Sequence, residues 1–231
     1  MNLSKMKPFW IAGAVFGILF AVLFAIRTDV LNKIFPKPTP RLSGDLSLPE
    51  RDTWMNIFQD GRKIGFSHSA LLKEGEIYHL QEMVFMRINT LGMVQDVNLK
   101  TEATLNSDFT LASIHFEIRS GLFNFVAEGM VSGNRLTLDI RTLGETRTMN
   151  IKLGKTPYIM PGIIDAARAA GLKPGETFFF DIFDPSTISQ ERVSVDIVGK
   201  EDVMSMGIKK NATRVSMTFK GAIQSAWIGE D

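Results

Sequence analysis

Two residues stand where they could move a proton. Strands of alternating polarity flank the turn Lys73-Glu74-Gly75. Read through that turn, His68 and Glu82 lie diagonally across neighbouring strands on one apolar face. An imidazole beside a carboxylate, withdrawn from water, is the pairing general acid/base chemistry needs. The same pair would serve equally well as a satisfied buried polar contact, and the sequence leaves both readings open. The remaining histidines add little. The same register sends His79 to the opposite face from His68, so these two form no joint metal site. His115 falls on a polar face beside Glu117. With three histidines and no cysteine, the chain offers no disulfide, no thiolate ligand and no cysteine nucleophile. Asp181, Asp184, Asp196, Glu201 and Asp202 follow neither the spacing of a calcium loop nor a two-carboxylate hydrolase pattern. Asn211-Ala212-Thr213 matches a glycosylation acceptor, which matters only on a eukaryotic secretory route. No cofactor, no metal site and no phosphate-binding glycine loop is expected, and no catalytic residue is assigned.

Composition narrows the class further. The chain has 231 residues, 22% of them charged, and a formal net charge of +1. That balance gives no electrostatic case for nucleic acid as a partner.

The elements that would position these residues are strands. From Trp54 onward apolar residues recur with a period of two, and turn signals follow at strand-length intervals. Asp60-Gly61, Ser120-Gly121, Gly133-Asn134 and Leu143-Gly144 read as two-residue loops. Lys73–Gly75 reads as a three-residue loop, and Asn89–Gly92 and Asn106–Phe109 as four-residue loops. These loops pair Ala70 with Tyr78, Val84 with Val97, Leu99 with Phe116, Phe116 with Phe125 and Leu138 with Met149. Apolar then meets apolar on one face, and Asp96, Asn98, Lys100, Glu102 and Thr104 point the other way. The expected fold is mainly β: a long antiparallel meander curled into an open barrel or packed as two layers. One short helix, Pro161–Gly171, carries the narrow stripe Ile163, Ile164, Ala167 and Ala170. Further strands follow near Thr177–Phe183, Arg192–Gly199, Thr213–Lys220 and Ile223–Ile228. Phe66, Tyr78, Phe116, Phe123 and Phe125 are all expected on the inward face. There they either line a cavity for an apolar ligand or fill the core.

The N-terminal part reads differently. Phe9–Ile26 is an uncharged run of 18 residues, close to the ~20 that cross a bilayer core. Lys5 and Lys7 precede it and Arg27 follows. Its end lacks a small-x-small exit site, so residues 1–30 read as an uncleaved, single-pass signal anchor with the bilayer as partner. Gly13, Gly17, Ala21 and Ala25 form a four-residue ridge that would let two such helices pack as a homodimer. Residues 31–52, with Pro36, Pro38, Pro40 and Pro49, read as an extended spacer. Residues 53–231 form the β domain. Ala226-Trp227-Ile228 enters a turn where the sequence stops, which suggests a domain truncated at its C-terminal end.

The stretch Thr53-Trp54-Met55-Asn56-Ile57-Phe58-Gln59-Asp60-Gly61-Arg62-Lys63-Ile64-Gly65-Phe66-Ser67-His68 resembles the opening hairpin of an uncharacterised β domain in bacterial membrane-anchored, transglutaminase-like proteins. The turn Gly171-Leu172-Lys173-Pro174-Gly175-Glu176-Thr177-Phe178 and the terminal Ala226-Trp227-Ile228 resemble later parts of that domain. The resemblance implies a non-catalytic accessory domain on the periplasmic side of the inner membrane, with a cysteine-dependent catalytic domain beyond residue 231. No catalytic residue of that domain has a counterpart here. The alternative is a stand-alone periplasmic module that binds a lipid or another apolar ligand.

Overall fold

The computed structural model describes residues 48–229 except 91, 122, 172 and 206. Among these, twelve strands form two antiparallel sheets. The first sheet holds β1 (Arg51–Gln59), β2 (Arg62–Glu74), β3 (Ile77–Thr90), β4 (Met93–Leu105), β5 (Leu111–Ser120), β6 (Phe123–Ser132), β7 (Arg135–Thr142) and β8 (Glu145–Lys152), in that spatial order. A 3-10 turn, Met160–Gly162, leads into helix α1 (Ile163–Ala169). The second sheet holds β9 (Thr177–Asp184), β10 (Ser189–Ser205), β11 (Ile208–Phe219) and β12 (Ala222–Gly229), ordered β12-β11-β10-β9. Short hairpins set this order, because each tight turn lays a strand beside its predecessor at small loop-closure cost. At Asp60-Gly61 both residues take positive φ, 50° and 74°, as an Asp-Gly hairpin turn requires.

The chain is mainly β with one short helix. Two parts of the expected architecture are corrected. The first sheet does not close into a barrel: β1 and β8 stand at its opposite edges and do not pair. Nor is a spanning helix found. Among the described residues no helix is long and apolar enough to cross a membrane, and α1 has only seven residues. The Phe9–Ile26 run, with Gly13, Gly17, Ala21 and Ala25, lies outside the described residues, as do residues 31–47 of the spacer. The expected single-pass inner-membrane localisation is corrected on that finding: no helix among the described residues supplies the anchor.

The inward faces of both sheets contribute to one core. Leu71, Leu80, Leu105, Phe116 and Leu138 of the first sheet join Phe180, Val193, Val195 and Val215 of the second. Full burial of each such side chain contributes about 1.5–3 kcal/mol. Helix α1 buries Ile163, Ala166 and Ala167. A Cβ on Gly162 would lie 3.4 Å from Leu105 Cδ1 and 3.8 Å from Leu80 Cδ1, so the helical segment sits directly on β3 and β4. Gly171 follows the helix with φ +77°, and its N–H donates to the Arg168 carbonyl at 2.9 Å, which satisfies a terminal carbonyl of the helix.

The hairpin registers differ from expectation in an instructive way. β7 and β8 pair Leu138 with Met149, as the Leu143-Gly144 loop implied. Val84 pairs with Leu99 rather than Val97, Leu99 with Ile118 rather than Phe116, and Phe116 with Ala127 rather than Phe125. Each is a shift of two residues, which keeps every side chain on its face. The β2–β3 hairpin is shifted by three. Ala70 pairs with Gln81, not Tyr78, across a two-residue Gly75-Glu76 loop. An odd shift exchanges the faces of one strand relative to the other.

Candidate functional site

The exchanged face separates the expected acid/base pair. Glu82 opposes Ser69 and points inward with Tyr78 and Leu80. His68 opposes Met83 and points outward with Phe66. The two residues therefore lie on opposite sides of the sheet. His68 Nε2 lies 2.9 Å from Asp52 Oδ1 at the surface, and its ring stacks on Trp54 at 4.3 Å between centroids. Phe66 contacts Trp54 and Phe85 on that same outer face, so it lines no inward surface.

Four of the five expected inward aromatics do share the inward face: Tyr78, Phe116, Phe123 and Phe125. They play different parts. Tyr78 is buried, stacks on Phe109 at 4.6 Å, and its hydroxyl oxygen accepts from the Leu48 N–H at 3.4 Å. Phe116 belongs to the core and meets Phe125 edge-on at 6.3 Å. Phe125 is half-buried, and Phe123 is 50% exposed.

Inward side chains form rows across the strands, and the burial of the large apolar ones falls from row to row, while the small Gly65 and Ser67 stay buried in the outer rows. In the deepest row Leu71, Leu80, Ala103, Ile114 and Leu138 are all buried. The next contains Ser69, Glu82, Thr101, Phe116 and Ala127, all buried except Glu82, which is half-buried. In the third row Val84, Leu99, Ile118 and Phe125 are half-buried and Met55 is 50% exposed. In the fourth row Met86 and Val97 are half-buried, and the row ends on exposed Phe123. Leu99, Ile118 and Phe125 still pack against the core cluster. The apolar face thus continues outward beyond the part that the rest of the fold covers.

A polar cluster marks the boundary between covered and open halves. Arg51 opens β1 and sits in the deepest row opposite Leu71. Its Nε and Nη2 donate to Asp165 Oδ1 and Oδ2 at 3.2 and 2.7 Å, a bidentate pair, and its Nη1 donates to Ser69 Oγ at 3.3 Å. Asp165 on α1 is 1% exposed. Such a fork-to-fork pair is a strong, geometrically specific contact, and here it pins the helix to the sheet. Glu82 lies beside it. Burial pushes the Glu82 carboxyl above its ordinary value, and the nearby Arg51 charge pulls the other way without overcoming that. No donor among the described residues hydrogen-bonds to this carboxylate. Ser67 and Thr101, both buried, add hydroxyls on the same face.

Arg51 and Asp165 escaped the sequence reading because 114 residues separate them, and neither sits in a motif. Ser67 and Ser69 left a fainter trace. With Gly65 and Leu71 they form a regularly spaced set on β2, but the more apolar set Phe66, Ala70 and Leu72 favours the opposite inward assignment.

Several other charged groups pair at the surface. His79 Nε2 lies 2.9 Å from Glu74 Oε2. His115 Nδ1 and Arg141 both contact Glu128, at 2.9 and 2.6 Å. Two outer hollows flank His115. One, of about 210 Å³, is lined by residues including His79, Glu102 and His115; the other, of about 510 Å³, by residues including Glu117, Arg119 and Arg141. On the second sheet Glu201 accepts from the Trp227 indole N–H, and Arg214 stacks over that ring at 5.8 Å. Among the described residues no group of three or more metal-ligating side chains converges.

No family model matches the chain, and a search of curated proteins gives no match. The transglutaminase-like resemblance therefore rests on the quoted residues alone. The structure is similar to a β-barrel-like protein of domain of unknown function DUF1849 from Brucella abortus. The two are 12% identical, with a TM-score of 0.49 over 73% of this chain and 77% of that one. It is also similar to a DUF1089 family protein from Pseudomonas aeruginosa, 15% identical, with a TM-score of 0.41 over 71% of this chain and 84% of that one. At these values neither likeness carries a function to the present chain.

Proposed function

We propose that this chain is a non-catalytic binding module that holds an apolar or amphipathic small molecule on the open end of the inward face of its first sheet. The graded burial along that face carries the reading. Val84, Met86, Val97, Leu99, Ile118 and Phe125 run outward from the core without being fully covered. Met55 and Phe123, both 50% exposed, stand at its rim. Apolar area left in water forgoes about 25 cal/mol per Å². A contiguous patch of this kind, polar at one boundary, is how ligand grooves are built. An acid/base reading loses its geometry, since His68 and Glu82 occupy opposite faces.

The test is uptake of N-phenyl-1-naphthylamine, a neutral fluorophore that brightens in apolar surroundings, by the full chain. Saturable uptake is expected, weakened by Met86→Asp and Val97→Asp and unchanged by Asn98→Asp on the outer face. Absence of saturable uptake, or indifference to both inward substitutions, would overturn the proposal.

A further inference from the structure

The boundary cluster bears on which amphiphile such a groove accepts. Arg51 and Asp165 neutralise each other through two hydrogen bonds. Glu82 is then left with only part of the Arg51 charge acting on it. It is half-buried, faces inward, and has no hydrogen-bond donor among the described residues. Half-withdrawn from water, such a carboxylate gains from a partner that brings a positive charge and N–H donors. Arg51 supplies part of that charge but no hydrogen bond, because its N–H groups donate to Asp165 and Ser69.

The surroundings fit a head with a tail. Glu82 opposes Thr101 on one side and Ser69 on the other, so hydroxyls flank it within its row. Outward from it on β3 come Val84 and Met86, both half-buried. The four steps of strand from Glu82 to Met86 span about 13 Å at ~3.3 Å per residue. That is room for an alkyl chain laid along the strands with its head at Glu82.

We infer that the groove selects single-chain amphiphiles with a cationic, hydrogen-bond-donating head, such as a primary ammonium, and that Glu82 is the residue that binds the head. This rests on the binding-module reading above and names its ligand class. An anionic head would meet Glu82 with like charge. A neutral alcohol would satisfy donors but not charge.

The experiment is competition on the full chain. Bound N-phenyl-1-naphthylamine is displaced by dodecylammonium, dodecanoate or dodecanol, each below its micelle concentration. A charge-assisted hydrogen bond is the basis for expecting dodecylammonium to compete at least about tenfold more tightly than the other two. Glu82→Gln, which keeps size and shape, is expected to remove that preference, so that dodecylammonium competes no better than dodecanol. The comparison among ligands needs no variant, so it stands even if Glu82→Gln folds poorly. If the dye binds but all three compete equally, or if the preference survives Glu82→Gln, the inference fails and the binding module remains. If the dye does not bind, both fail. If sedimentation shows a dimer that Glu82→Lys dissociates, and no amphiphile binds, a second copy occupies the face and the inference is overturned.

Discussion

The Arg51–Asp165 pair joins the first strand to the only helix among the described residues, and its removal gives the sharpest test of the fold. Asp165 has 2% of its side chain exposed and Arg51 has 22%. Arg51→Met would keep most of the packing volume but leave the Asp165 carboxylate buried without its partner. Breaking a buried pair from one side costs about 3–5 kcal/mol, because an uncompensated charge remains. The partial exposure of Arg51 places the expectation near 3. Chemical denaturation followed by far-ultraviolet circular dichroism reads this directly. With a urea slope of about 2 kcal/mol per molar, the midpoint should fall by roughly 1.5 M. The double variant Arg51→Met/Asp165→Leu removes both charges together, and replacing a whole buried pair with apolar groups is often close to neutral. It should recover most of the loss, giving a coupling of about 2 kcal/mol or more in the double-mutant cycle. If Arg51→Met shifts the midpoint by under about 0.3 M, or the coupling falls below ~0.5 kcal/mol, the pair is effectively solvated. The claim that it pins α1 to the sheet would then be wrong.

Other consequences follow from the same geometry. Gly65→Ala should destabilise by about 2–4 kcal/mol in urea unfolding, because a Cβ there would stand 1.9 Å from the Phe85 carbonyl oxygen and force β2 and β3 apart. Burial raises the pKa of the Glu82 carboxyl above its ordinary value, so the charged form is less favoured in the folded protein than in the unfolded chain. Its contribution to stability is then full below the ordinary carboxyl range and is lost as pH rises through the raised folded value. Glu82→Gln should flatten that part of the stability–pH profile, and an unchanged slope would show that Glu82 is not desolvated. His68→Ala removes the stacking on Trp54 and the Asp52 contact at the outer surface. It should cost under about 1 kcal/mol and leave N-phenyl-1-naphthylamine uptake unaltered; lost uptake would mean that the faces of β2 are assigned wrongly.

Much of this fold was legible from residue types alone, wherever the governing physics is local. The period of two and the turn residues located strands and hairpins, because side-chain alternation and positive-φ preferences act within a few residues. Gly133-Asn134 and Leu143-Gly144 set their registers correctly, with Ser132 opposite Arg135 and Thr142 opposite Glu145. The polar outer face of β4 was equally plain. At Lys73-Glu74-Gly75 local rules allowed either a three-residue loop or a two-residue loop opening at Gly75, which takes φ +61°. Hydrophobicity then favoured the wrong one, since Phe66, Ala70 and Leu72 outweigh Gly65, Ser67 and Ser69. What decided the matter was long-range. Leu71 is buried against Leu80, and Ser69 accepts from an arginine that is itself held by Asp165 on α1. The same contacts put Glu82 inside and His68 outside. A charge's environment depends on which distant groups fold against it, so tertiary packing, not residue type, made Glu82 the candidate ligand-binding residue and His68 a surface one.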